Sequence, residues 1–402
     1  MKFIHFGCWN KGKCTEGGIN PLSQVMTKLK ELGKEMDPKT DFIIVAGDNY
    51  YSDKAKQPKD AKEAKEAKQP NPLTDEEKDK LKSGFDCLDV KIPVYIIYGN
   101  HDVINNKDKD CSILTTQQKI GKQQKAKLPR LKLFTDVITE HPTDDTCIIM
   151  FDSSLYTLPE KDEGGNVSLE TLVKNSCYKH LFPTFPKFLN NLGKDESSAT
   201  LADLRKYQTE KITKAFETNT KTTKNIIFVA HHPLVNTKPV GEGKQKNNYI
   251  VNLIRLFKDS IGAEYIKLKS RPTIYYLCAD YHVYQHMDIN ITLVDGDKLP
   301  ITQYTVGTGG AELHDIDTII DLTKGLPATQ LNRDSISLTY TVIAQKKTHG
   351  FLEVTVPEPV IGTSSPIVFN FISISPPSKS QRKYLKYKMK YLDLKLRLYN
   401  TS

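Results

Sequence analysis

No run of apolar residues in this chain is long enough to cross a bilayer; the hydrophobic stretches are the length of strands. Tryptophan occurs once, as Trp9, and no segment repeats at solenoid length. Cysteine is sparse as well. The seven cysteines are scattered and odd in number, which predicts no disulfide framework and a reducing, intracellular setting. The opening Met1-Lys2-Phe3-Ile4-His5-Phe6-Gly7 reads as a first core strand and not as a signal peptide. These absences argue against a membrane-spanning protein, a stapled secreted module and a repeat array.

What the chain does hold fits a folded globular protein. Its 402 residues suffice for one large or two ordinary domains, and 38% hydrophobic with 26% charged residues is an ordinary composition for such a chain. The net charge of +9 is patchy, concentrated in Lys-rich loops and in the last segment.

Four strand-like runs end at residues that carry chemistry. Ile92–Tyr98 runs into Gly99-Asn100-His101-Asp102. Asp41–Ala46 runs into Gly47-Asp48-Asn49-Tyr50-Tyr51. Asn225–Ala230 runs into His231-His232-Pro233, and Pro272–Cys278 into Ala279-Asp280-Tyr281-His282. The carboxyl end of a strand is where ligands bind in open α/β sheets. Carboxylate, amide and imidazole donors in this mixture suit Zn, Mn and Fe.

These blocks resemble the calcineurin-like metallophosphoesterases and, among them, the purple acid phosphatases. That family's pattern is Asp-x-His, Gly-Asp, Gly-Asn-His-Asp/Glu, His, and Gly-His-x-His. Gly47–Tyr51 is similar to the purple acid phosphatase form of the second block, and Val229–Pro233 to the fourth. The resemblance spans most of residues 1–310. It implies an α/β (α+β) fold of two mixed β-sheets packed as a sandwich flanked by helices. It also implies two divalent or mixed-valence metal ions (Fe, Zn or Mn) about 3.5–4 Å apart that share a carboxylate and clamp a hydroxide. Carried over residue by residue, Asp48 is the bridge. One ion takes Asn100, His231 and Asp280; the other takes His282, Cys8 and Tyr51. His101 protonates the leaving oxygen and Asp102 orients it.

Two positions depart from the pattern. Cys8 stands where the family has Asp; it reads either as a soft ligand replacing that carboxylate or as a small buried thiol. Asp280 stands where the family has the first His of Gly-His-x-His, which makes the site more anionic and favours a harder ion. Typical purple acid phosphatases are secreted, so an intracellular address also departs from them. His232 lines the pocket; His5, His141, His180, His286, His314 and His349 read as surface or core.

Elsewhere, helices are expected over Pro21–Gly33, Thr74–Leu88 (opened by a Thr74–Glu77 capping box), Ala199–Thr218 and Asn248–Lys258. Lys54–Pro72 reads as a solvated insertion, Asn105–Lys127 as a polar surface loop, and Glu160–Ser198 as a loop region overhanging the site. Asp152-Ser153 reads as structural. From Met287 the pattern turns to strands: Met287–Leu293, Ile301–Val306, Ser337–Val342, Phe351–Val356 and Ile367–Ile372, taken together as the second sheet. Gly307–Gly310 is a tight turn, not a nucleotide loop.

The reading divides the chain into a catalytic domain, residues 1–375, and a tail, 376–402, set off by Pro376-Pro377. In the tail Leu385, Met389, Leu392, Leu396 and Tyr399 form a seam among Lys and Arg, a basic amphipathic helix. It is read as docking a protein, an anionic membrane or nucleic acid, or else as packing on its own domain. Such Lys-Tyr-Leu tails resemble those of giant-virus proteins, which implies a viral factory or virion as the setting. Three functions follow: hydrolysis of phosphate monoesters, a phosphodiesterase or nuclease on the same scaffold, or a degenerate, non-catalytic interaction protein.

Overall fold

Phe42-Ile43-Ile44-Val45-Ala46 has no polar side chain to offer water, and every one of the five is buried. Val94–Ile97 and Thr146–Met150 are likewise buried throughout. A strand apolar on both faces must be covered on both, as parallel strands are in α/β sheets. Each such Ile or Val removed from water contributes roughly 1.5–3 kcal/mol. The computed structural model describes residues 1–15, 17–51, 73–88, 91–103, 111–127, 131–157, 173, 177–237, 250–314, 329–333, 335–358, 366–375, 380, 387 and 391.

The strands are β1 (Lys2–Phe6), β2 (Phe42–Ala46), β3 (Val94–Ile97), β4 (Leu131–Leu133), β5 (Ile138–Thr143), β6 (Thr146–Met150), β7 (Asn225–Val229), β8 (Thr273–Cys278), β9 (Tyr284–Thr292), β10 (Lys298–Val306), β11 (Thr329–Arg333), β12 (Ile336–Lys346), β13 (His349–Thr355) and β14 (Val368–Ile374). They form two mixed sheets, as expected. The first has the order β14-β13-β1-β2-β3-β4 and the second β11-β12-β9-β10-β8-β7-β6-β5. At the centre of each the strands are parallel: β1 to β4 in one, β6, β7, β8 and β10 in the other. The outer strands pair antiparallel, and β12 alternates buried with half-buried residues along most of its length, the pattern of a strand with one covered face.

The helices start where the capping chemistry puts them. Asn20 accepts from the Ser23 N–H (2.8 Å) ahead of Pro21, and the helix Pro21–Gly33 buries Leu22, Val25, Met26 and Leu29. Thr74 and Glu77 exchange both capping-box bonds at the start of Asp75–Cys87. Thr200 and Asp203 do the same for Leu201–Asn219. A cap of this kind contributes about 1 kcal/mol.

Several expectations are corrected. The segment read as a polar loop over 105–127 contains a helix, Ser112–Lys127, with Ile113, Leu114, Gln117 and Ile120 buried. The region read as an overhanging loop, 160–198, contains the helices Tyr178–Leu181 and Phe185–Asn191, which put Tyr178, Leu181, Phe185 and Leu189 into the core. Of the five late strands, Phe351–Val356 and Ile367–Ile372 correspond to β13 and β14, which extend the first sheet. The second sheet is instead completed by β5 to β8. The helix expected from residue 248 begins at Val251 and passes through a π-helical turn, Leu256–Ile261, to Tyr265. Disulfides do form: Cys14–Cys87 and Cys111–Cys177, while Cys8, Cys147 and Cys278 are free. Bonds of this kind persist in oxidising surroundings, so the cysteine argument for a reducing setting fails. Among the described residues, no helix is long and apolar enough to cross a membrane. The Lys54–Pro72 insertion and the tail seam lie outside the described residues; Ser380, Tyr387 and Tyr391 are helical.

Candidate active site

The parallel strands of both sheets bring their carboxyl ends to one edge. Cys8 follows β1, Asp48 and Tyr51 follow β2, Asn100 and His101 follow β3, His231 follows β7, and Asp280 and His282 follow β8. Short backbone bonds fix the strand ends there: Gly7 N–H to Val306 O (3.0 Å) joins the two sheets, while Cys8 N–H to Gly47 O (3.1 Å) and Ala279 N–H to His231 O (2.8 Å) tie neighbouring strand ends within each sheet. The approach is close enough that a Cβ on Gly99 would lie 2.4 Å from Asp48 Oδ1, and one on Gly47 (φ +82°) would lie 2.6 Å from His231 Nδ1. Cys8, Asp48 and Asp280 themselves adopt left-handed backbone, with φ of 53°, 54° and 52°. Three strand ends thus turn at the donor residue itself, in a conformation that costs roughly 1–3 kcal/mol each and clusters at functional sites.

Asp48 is the centre of the arrangement and its two oxygens face different neighbours. Oδ1 lies 3.2 Å from His231 Nε2 and accepts from the His101 N–H (3.2 Å). That same His231 Nε2 is 3.1 Å from Asn100 Oδ1 and 3.9 Å from Asp280 Oδ1. Oδ2 accepts from the Tyr51 hydroxyl (3.0 Å) and lies 3.7 Å from Cys8 Sγ; the Tyr51 oxygen is in turn 3.3 Å from His282 Nε2. All seven donors read from the sequence therefore meet in one cluster, buried except for Asn100 and Asp280, which are half-buried.

This donor set fits cations. Both histidines give their Nδ1 to a backbone carbonyl, His231 to Ala46 O (2.7 Å) and His282 to Glu312 O (2.7 Å), so that Nε2 turns into the cluster as metal-binding histidines do. Burial alone would raise the Asp48 carboxyl, but the charge and hydrogen bond of His231 hold it well below the usual carboxylate range. Burial likewise works against the His231 imidazolium, yet Asp48 pushes its pKa up to about 9. A carboxylate this deep requires positive charge beside it, and a divalent ion supplies more than a proton does. Burial, with Asp48 and Asp280 adding to it, pushes the Cys8 thiol up; burial and Asp48 do the same to the Tyr51 phenol. Two groups of side chains, Cys8-Asp48-His231 and His231-His232-Asp280, hold their ligand atoms within 4.8 Å of one another.

His101 is half-exposed at the rim, its ring 4.7 Å from that of Tyr51. Asp102 is fully buried and accepts from Gly99 N–H (2.7 Å), from the Asn49 N–H and side chain (3.2 and 3.1 Å) and from Gln117 Nε2 (2.7 Å). It ties the second block to the third. Burial and the Asp48 charge push its pKa up to about 7. His232 is held by Ser153 Oγ at Nδ1 (2.8 Å) and by Thr157 Oγ1 at Nε2 (3.2 Å), and burial pushes it down to about 4.

Some of the site is not apparent from the motifs. His314, read as surface or core, stacks flat on His282 (4.3 Å between ring centroids, 2° between planes) and accepts the His282 N–H at Nδ1 (3.1 Å). Its loop also reaches back to the first sheet, with Gly309 N–H on Gly7 O (3.0 Å) and Ala311 N–H on Cys8 O (2.9 Å). Ser153 and Gln117 act behind the site in the same way. The available signal was the Gly307-Thr308-Gly309-Gly310 turn at the end of a parallel strand, where a loop must lie at the ligand edge.

A family model for the calcineurin-like phosphoesterases matches residues 1–284. No curated protein matches the chain. Among solved structures it is similar to GAP50, the anchor in the inner membrane complex of Plasmodium, with 13% identity and a TM-score of 0.42 over 93% of this chain and 84% of that one. It is also similar to PhoD, with 10% identity and a TM-score of 0.42, covering 88% of this chain and 63% of that one. With the family model matched over well more than half its length, the chain belongs to the calcineurin-like phosphoesterases.

Proposed function

We propose that this protein is a dinuclear metal-dependent phosphatase that hydrolyses phosphate monoesters. The observation that carries the reading is the division of labour at Asp48: Oδ1 lies against His231, whose Nε2 also meets Asn100 and Asp280, and Oδ2 lies against Cys8 and Tyr51, whose hydroxyl meets His282. One carboxylate between two donor sets is the arrangement a pair of ions requires. Asp48 would bridge, the first set would hold one ion and the second the other. When bound there, such ions supply Lewis acidity toward a phosphoryl oxygen and make water a nucleophile at neutral pH.

The chain's own residues supply the rest. His101, half-exposed beside the cluster, donates a proton to the leaving oxygen, and its tilted ring contact with Tyr51 limits where its ring can sit. Asp102 acts one step behind, fixing the Gly99–His101 turn through Gly99 N–H and Gln117. His232 lies beside His231 and is kept neutral by burial, a hydrogen-bonding wall that does not repel ions.

The test is metal analysis of the purified full chain together with turnover of a chromogenic phosphate monoester and its diester. Two ions per chain and faster monoester turnover are expected. A faster diester would replace the reading with a phosphodiesterase or nuclease. Ions bound without turnover of either would make it a non-catalytic interaction protein. Failure to retain ions would overturn the metal centre itself.

A further inference from the structure

The two disulfides differ in access. Cys111 and Cys177 are 2% and 0% exposed, a bond sealed in the core. Cys14 is 6% exposed and Cys87 is half-buried, and together they form one wall of a surface cavity of about 410 Å³, a size that takes a small molecule. Thr15, Thr27, Lys30, Glu31 and Lys34 form the other walls. Glu31 is paired with Lys28 (3.0 Å).

We propose that this cavity is a thiol-exchange site: a small anionic thiol of the glutathione class enters it and opens Cys14–Cys87. The entering thiolate attacks Sγ of Cys87, the more exposed residue of the pair. The S–S bond breaks and its electron pair leaves on Cys14, which takes a proton from water. A second thiol molecule then attacks the mixed disulfide, releasing Cys87 as a thiol and the two small thiols joined as one disulfide. The direction has a physical reason. Cys87 is the last residue of the helix Asp75–Cys87, whose carbonyl end disfavours a thiolate there, whereas Lys30 and Lys34 line the cavity and favour both the incoming anion and a thiolate on Cys14.

The bond is tied to the active-site edge. Cys14 closes the loop that begins at Cys8. Beside the disulfide, Asn10 Nδ2 on Leu81 O (3.1 Å), Cys14 N–H on Ser83 Oγ (3.1 Å) and the Trp9–Phe85 ring contact (5.8 Å) hold that loop to the helix. Opening Cys14–Cys87 therefore loosens residues 8–14 while the sealed bond stays shut.

The folded full chain would be incubated in graded glutathione buffers, alkylated and mapped by peptide mass spectrometry, with hydrogen exchange read in parallel. Cys14 and Cys87 are expected to react at least about tenfold faster than Cys111 and Cys177. Amides of residues 8–14 should exchange faster on reduction, and equally fast in Cys14→Ser/Cys87→Ser. Lys30→Glu/Lys34→Glu should slow glutathione several-fold and leave uncharged 2-mercaptoethanol unchanged. Both bonds opening together, the double lysine variant reacting with glutathione as the wild type does, or unchanged exchange at residues 8–14 would each overturn the proposal.

Discussion

The two sides of Asp48 hold the same number of donors and differ in kind. The Oδ1 side has an amide, an imidazole and a second carboxylate, groups that suit hard and borderline ions. The Oδ2 side has a thiol and a phenol, both pushed up by burial, and an imidazole pushed down by it. If the proposed ligand sets hold, an ion on the Oδ2 side would displace two protons, from Cys8 and Tyr51, and one on the Oδ1 side would displace the one that His231 carries. Affinity on the Oδ2 side should therefore climb more steeply with pH. The asymmetry follows from Cys8, since a carboxylate in its place would need no deprotonation at neutral pH.

The largest effect is expected from removing what the two sides share. Asp48→Asn removes the anion between the two sides and leaves Asp280 as the one carboxylate among their donors, so both ions should be lost and turnover should fall to background. Metal analysis after desalting checks this; retention of one ion would mean that the sides do not share Asp48. His101→Ala tests the opposite case, chemistry without binding. Turnover should fall by about 10²–10⁴-fold with both ions retained. Equal loss of metal and activity would make His101 part of the metal centre.

Cys8→Asp sharpens the contrast between the sides by making them alike. It should shift preference from Zn toward Mn, remove one of the two proton releases on binding, and flatten the pH dependence on that side. With Co²⁺ as a spectroscopic substitute, the wild type should show a sulfur-to-metal band that Cys8→Asp lacks. An unchanged spectrum would return Cys8 to the role of a buried thiol.

How much of this was legible in the sequence depended on whether the signal was local. Asp48, Asn100, His231 and His282 each sit directly behind an apolar run, so strand and ligand are read in one glance, and the structure brings them to one edge. Sheet membership was not legible: the alternation in Phe351–Val356 says that one face is wetter than the other, not that β1 is the partner. The disulfides join positions 73 and 66 residues apart, and an odd count hid them. The helix Ser112–Lys127 was legible and missed. Ile113, Leu114, Gln117 and Ile120 have helical spacing, but Gln and Lys between them dominate the composition. The left-handed turns at Cys8, Asp48 and Asp280 are set by how closely the two sheets meet, which no local pattern records.

A smaller effect is expected beneath the two sides, where His5 joins the first sheet to the second through Cys278 O (3.1 Å). Burial pushes His5 down from 6.5 to about 4, so the folded chain binds fewer protons there than the unfolded chain does. The sign follows: stability is lost as pH falls from about 6.5 to 4, at up to about 1.4 kcal/mol per pH unit for this one group. His5→Leu should remove that slope whatever it does to stability at pH 7. Denaturant midpoints at several pH values check it. A slope as steep as the wild type's would place the acid sensitivity in other groups, such as His232.

The smallest effect on chemistry should come from the tail, which leaves both sides of Asp48 untouched. Residues 378–402 hold eight Lys and Arg against one Asp, a net +7 of the chain's +9. The sequence places Pro376-Pro377 directly before them. Tyr387 and Tyr391, one helical turn apart, are 61% and 65% exposed, which a helix packed on its own core through that stripe would not allow. Deleting Ser378–Ser402 should leave monoester turnover within about twofold and the melting temperature within about 2 °C, as expected of a tail that docks elsewhere. Association with anionic vesicles or polyanions at low salt should fall sharply, and raising the salt should weaken the wild type toward the truncated form. A fall of many degrees in melting temperature would instead make the tail part of the folded core. Loss of turnover with unchanged melting would tie it to the substrate, and the separation between charge at the tail and chemistry at Asp48 would fail.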